Sequence, residues 1–153
     1  MKKLTYFLIG LALLAGCSKS DVQRSKDFAH TGCAYNTRAA GTRAGEFEDE
    51  PSLLTLKYES GGLRVTRTNA WMNCSIKNGG IGCDVSIKGN VITYIVFEKD
   101  GPLTNCVCPV KEMSSLVTGL QEGKEYTLNY CYYSPITFTF KKGFHKIIDL
   151  RAE

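Results

Sequence analysis

From Ser52 onward, apolar residues come in short runs broken by Gly and Asn, and this punctuation most constrains the fold. Leu54, Leu56 and Tyr58 alternate with polar residues before Ser60-Gly61-Gly62 turns the chain into Leu63 and Val65. Residues 71–76 and 81–87 read as further strands, and Lys88-Gly89-Asn90 turns again into VITYIVFE. That run is apolar on both faces and reads as a central strand. Segments 106–110, 116–120, 125–132, 136–140 and 145–150 complete the set. Roughly nine or ten short strands at about 8–12-residue spacing, with no helical period of useful length, predict an all-β sandwich or barrel over 51–153. A domain of about 100 residues buries a modest core, so cross-links matter.

The N-terminus begins MKKLTYFLIGLALLAGCSKS. Lys2 and Lys3 precede an apolar run of about a dozen residues, too short to span a bilayer, which needs roughly 20, but suited to a secretory signal. Leu14-Ala15-Gly16-Cys17 resembles the lipobox of bacterial lipoproteins. The resemblance implies cleavage after residue 16, a diacylglyceryl thioether on Cys17, and an acylated amine there. Two or more acyl chains anchor stably where one binds marginally, so the mature chain is expected on a membrane rather than in it. Loss of 1–16 takes Lys2 and Lys3 but no acid, moving the net charge from +4 to +2. The remaining Lys and Arg are dispersed, which argues against a nucleic-acid partner.

Residues 17–50 show neither a two-residue nor a 3.6-residue apolar period and read as a flexible tether. Such a chain has an end-to-end distance of roughly 30 Å. Glu46, Glu48, Asp49 and Glu50 lack the alternation and Gly of a calcium loop and read as a solvated linker end.

Seven cysteines raise the question of pairing. In NCSIKNGGIGC, Asn78-Gly79 is a strong type I′ hairpin signal. That turn sets Ile76 opposite Ile81 and Cys74 opposite Cys83, with Cα atoms about 4.5 Å apart, within disulfide reach. A Gly79-Gly80 loop would instead set Cys74 opposite Val85. A Cys74–Cys83 bridge is the expected outcome, contributing roughly 2–3 kcal/mol. Cys106 and Cys108 sit too close to pair with each other, so one is expected to reach Cys131 and the other Cys33, in either order. The six cysteines besides Cys17 make an even count, which suits an oxidising compartment. The alternative is a metal site of Cys106 and Cys108 with His30 and Cys33, although C-x-C fits zinc less well than wider spacings.

No hydrolase, zincin, phosphate-loop or dinucleotide motif occurs. The two histidines, His30 and His145, are isolated in sequence. No catalytic residue, cofactor or metal is expected, and the chain reads as a non-enzyme. Alternation places Tyr126, Leu128, Tyr130 and Tyr132 on one core face. Tyr133 and Trp71 are the aromatics left for a binding surface.

Residues 114–130, SSLVTGLQEGKEYTLNY, resemble the corner between strands E and F of fibronectin type III and immunoglobulin-like modules. The matching positions are Gly119, Leu120, Gly123, Tyr126 and Leu128. The resemblance implies a sandwich of about 7–10 strands in which the Tyr126 hydroxyl bonds upstream backbone. The lipobox, HTGC, LRVTRTNA…NC, GNVITY, CVCPV and GL…GKEYTL together resemble a group of small lipoproteins of gut-type Gram-negative bacteria. That group carries no known active site. It implies an outer-membrane lipoprotein, periplasmic or surface-facing. The expected function is a lipid-anchored, non-catalytic binding module for a protein or glycan. The alternatives are an inhibitor or immunity lipoprotein against a protease or toxin, and a metal-holding cysteine protein.

Overall fold

The computed structural model describes residues 23–24, 27–34, 50–76, 80–99 and 105–151. Ten strands form two five-stranded sheets packed face to face. In chain order they are β1 (Gln23–Arg24), β2 (Ala29–His30), β3 (Leu53–Glu59), β4 (Gly62–Asn73), β5 (Ile81–Lys88), β6 (Val91–Glu98), β7 (Val107–Thr118), β8 (Glu125–Tyr130), β9 (Ile136–Thr139) and β10 (His145–Asp149). One sheet runs β1-β5-β6-β8-β9 and the other β10-β3-β4-β7-β2. The all-β sandwich expected from the sequence is therefore present.

Period-two alternation builds the interior. Leu54 and Leu56 of β3, Leu63 and Val65 of β4, and Val117 of β7 face Ile92 and Tyr94 of β6 and Tyr126, Leu128 and Tyr130 of β8. β6 is central as expected, between β5 and β8. Its second face is not covered, for Val91 and Ile95 are exposed. The β8 strand enters through the predicted corner: the Gln121 amide donates to Tyr126 Oη at 2.9 Å. Gly119 and Gly123 hold positive φ on either side of that contact, a conformation that side chains resist. One pairing departs from the antiparallel sheets of immunoglobulin-type modules: β8 runs parallel to β6.

Two expected strand pairs are each one continuous strand. Segments around Leu63 and 71–76 were separable in sequence because their alternation is out of phase, and so were 106–110 and 116–120. In the structure β4 and β7 run twelve residues each, in one register from Gly62↔Thr118 to Asn73↔Val107 that is interrupted only at Asn69. Asn69 carries a φ of 52°, and Lys111 and Glu112 of β7 near it are both exposed. There the inward row shifts by one residue. Val65 faces inward below the shift, and Ala70 is buried above it. The Asn69 amide donates to Pro51 O at 3.0 Å, tying this residue to the start of β3. A short polar side chain that bonds locally makes this left-handed position tolerable.

The tether expected over 17–50 is corrected for its described part. Gln23 and Arg24 pair with Val85 and Asp84 of β5, while Ala29 and His30 pair with Ser114 and Met113 of β7. Asp27 accepts from the Leu116 amide at 2.7 Å and pairs with Arg64 at 3.3 Å, and Arg64 also meets Glu59 at 3.0 Å. These residues complete the edges of both sheets. They lack visible period because each strand is only two residues long, shorter than any alternation test needs.

Candidate functional site

Strand directions gather a set of loops at one end of the sandwich. β4 and β6 run toward this end, and β7, β5 and β3 run away from it. β8 runs with β6, and β9 returns. The crossover after Asn73, the entries to β3 and β7, and the β8–β9 turn at 131–135 therefore share it. This end carries a second apolar cluster of Cys33, Ala70, Cys74, Ile76, Ile81, Cys108, Val110 and Met113.

Two disulfides brace that cluster. Cys33 pairs with Cys108, with Cα atoms 5.7 Å apart, and Cys74 with Cys106, at 5.6 Å. Cys108 is one of the two partners left open for Cys33 by the sequence, but the expected counterpart, Cys106 with Cys131, does not form. The Cys74–Cys83 bridge is corrected. β4 and β5 lie in different sheets, so 73–83 is a crossover, not a hairpin. Gly80 N closes it onto Ile76 O at 2.9 Å; Asn78-Gly79 lies outside the described residues. Cys74 instead stands beside Cys106, whose carbonyl accepts from its amide at 3.0 Å. The C-x-C pair divides between two neighbours because β7 lies between β4 and β2. With both sulfurs oxidised, Cys106 and Cys108 offer no thiolate for the metal reading.

Cys83 and Cys131 are free thiols, contrary to the expected bridges. Both approach β6 at Val96 from opposite sides. Cys83 is its register partner on β5, and Cys131 Sγ accepts from the Val96 amide at 3.4 Å. β6 lies between β5, which carries Cys83, and β8, which Cys131 follows. Burial pushes the Cys83 thiol from 9.0 up to about 11, against opposing hydrogen bonds from Tyr94 and Ser115. Burial raises Cys131 as well. A thiol whose folded pKa lies above its unfolded value gives stability that is complete below pH 9.0 and is lost as pH rises toward about 11. The urea midpoint is expected to fall across that window more steeply in the parent than in Cys83→Ala. An equal fall in both would contradict the assignment.

The aromatic residues separate differently from expectation. Tyr133 is only partly exposed and packs on the core. Its hydroxyl accepts from Arg67 Nη2 at 2.9 Å. The Arg67 guanidinium stands 5.3 Å from the Tyr133 ring centre and 5.9 Å from that of Tyr130. Tyr132 is fully exposed, with 104% relative accessibility. Alternation had placed it in the core with Tyr130. The strand ends at Tyr130, and Cys131 adopts a φ of 48°, which breaks the alternation and turns Tyr132 outward. Nothing in the sequence marks that change of sense at a non-glycine residue. Trp71 is exposed as expected, but on β4 opposite Pro109 rather than on a loop.

His30, Thr31, Glu112 and Ser114 line a cleft of about 180 Å³ on the β2–β7 edge. The Gly32 amide donates to His30 Nδ1 at 3.1 Å, so the neutral ring carries its proton on Nε2. Burial, then Lys99, holds its pKa below the ordinary 6.5. A protonated Nε2 takes no proton from Ser114, so these residues do not form a nucleophile–base pair. Among the described residues no group of three or more His, Cys, Asp or Glu side chains gathers for a metal. His145 opens β10 at an exposed position. Cys17 and the expected signal segment, residues 1–16, lie outside the described residues. Comparison with protein-family models, curated proteins and solved structures finds no match.

Proposed function

We propose that this chain is a lipid-anchored, non-catalytic binding module of the cell envelope, presenting the cross-linked loop end of its sandwich to a protein or glycan. The observation that carries this reading is Tyr132. A tyrosine left wholly in solvent gains no burial energy, yet both its neighbours are fixed. Cys131 N bonds Tyr94 O at 2.8 Å, and Tyr133 N bonds Tyr130 O at 3.1 Å. A rigidly mounted, solvated aromatic is the residue type that anchors interfaces at low entropic cost.

The anchor suits this orientation. β1 runs antiparallel to β5, toward the loop end, so the chain enters β1 from the opposite end. With Gln23 already paired, the stretch from Cys17 to Gln23 reaches at most about 20 Å. A lipid on Cys17 then holds the sandwich near the bilayer with its loops pointing away. Cys17→Ser is expected to abolish palmitate labelling and release the protein into the soluble fraction. Tyr132→Ser is expected to weaken capture from an array of envelope proteins and glycans by about 30-fold, leaving the fold intact. Undiminished capture would overturn the assignment of this end.

A further inference from the structure

We infer that the loop end binds a carboxylate group through Arg67, a reading that rests on this end being the binding face. Arg67 occupies an inward position on β4, opposite Leu54 and Met113. Among the described residues no carboxylate lies within salt-bridge distance of it, although Arg64 and Arg151 both have one. Its Nη2 is engaged by Tyr133, but its Nε is buried without a hydrogen-bond partner. The one other buried side-chain atom in that condition among the described residues is Ser52 Oγ.

These two orphans belong to adjacent strands of one sheet, Arg67 on β4 and Ser52 just ahead of β3. Ser52 lies two residues before Leu54 on the same inward row of the sheet, and Leu54 is the register partner of Arg67. Buried polar atoms are nearly always paired, and a partly buried cation without a counter-charge is costly. Two unsatisfied buried polar atoms on adjacent strands, one of them on a guanidinium without a carboxylate, would be satisfied by an acceptor that carries negative charge. The Tyr130 and Tyr133 rings hold the guanidinium plane by cation–π contact. A fixed guanidinium matches a planar carboxylate in geometry. Tyr132, next in the same turn, is free to cover the remainder of the molecule. The ligand class is an acidic sugar or an acidic peptide side chain, both presenting the same group.

The test is a titration of the full mature chain followed by the Nε–Hε resonance of Arg67. The probes are acetate, glucuronate and N-acetylglutamate amide, with glucose and chloride at matched ionic strength as controls. Each carboxylate is expected to shift the Arg67 resonance saturably in the millimolar range, with no saturable shift from glucose or chloride. The tighter of glucuronate and the glutamate derivative identifies the source. Arg67→Lys keeps the charge but loses the planar fork, and is expected to weaken binding about tenfold. Should that variant misfold, the titration of the parent still decides. Absence of a saturable shift, or an equal shift from chloride, would overturn the inference and leave the site to water. Loss of capture by Tyr132→Ser with a silent Arg67 would sink the carboxylate site alone. Carboxylate binding with capture indifferent to Tyr132 would sink the docking face alone.

Discussion

A Cys33→Ala, Cys108→Ala double variant is expected to lose about 4 kcal/mol of unfolding free energy. The bond spans 75 residues of chain, and opening a loop of that size returns a large conformational entropy to the unfolded ensemble. It is also a covalent fastener of the N-terminal segment, which is held besides by two two-residue strands, the Asp27 and Thr31 hydrogen bonds and the packing of Phe28 on both apolar clusters. Both sulfurs are sealed, with Cys33 at 4% and Cys108 at 0% exposure, so their loss also thins the second apolar cluster. A domain of this kind has about 5–15 kcal/mol to lose, so the effect is a large shift in urea midpoint. The Cys74–Cys106 bond spans 32 residues, and loop entropy changes only with the logarithm of length. Exposure, not span, therefore ranks the two bonds: Cys106 is open to solvent, and its bond is the one a mild reductant reaches first. A double variant within about 1 kcal/mol of the parent would show that the segment is held by other means.

Tyr94→Ala is expected to cost about 4 kcal/mol, in the range for deleting a large buried aromatic. Tyr94 is 2% exposed on the central strand. It stacks on Tyr130 with ring centres 5.2 Å apart, and its hydroxyl bonds Ser115 Oγ across the sheets at 2.7 Å. Tyr94→Phe keeps the ring and leaves the buried Ser115 hydroxyl with only the weak Cys83 thiol as partner, which costs about 1–3 kcal/mol. Comparing the two variants in urea separates packing from hydrogen bonding. A Phe variant as damaged as the Ala variant would place the polar contact above the packing. An Ala variant losing under about 1 kcal/mol would remove Tyr94 from the centre of the core.

What the sequence made legible follows how local each signal is. Leu54, Leu56, Leu63 and Val65 announced their inward rows because alternation within one strand needs no partner. Tyr126 announced its corner because its hydroxyl bonds only five residues upstream. The pairing of Cys74 did not follow, because Asn-Gly chemistry was read as a hairpin while the chain crosses to the other sheet. The joining of β4 and of β7 was hidden by one left-handed residue, Asn69. The same effect at Cys131 hid Tyr132, the best candidate for contact with a partner. Arg67 was missed for a different reason: a partly buried cation lacking a carboxylate is a property of packing, and no sequence pattern carries it. The two-residue strands β1 and β2 are set by the edges they complete rather than by their own composition.

The most direct measurement is a disulfide map of the unreduced chain, alkylated in denaturant before digestion and read by mass spectrometry. Linked peptides joining Cys33 to Cys108 and Cys74 to Cys106, with Cys83 and Cys131 both alkylated, are the expected result. A peptide joining Cys74 to Cys83 would contradict it, because the crossover would then be a hairpin and the braced loop end would not exist.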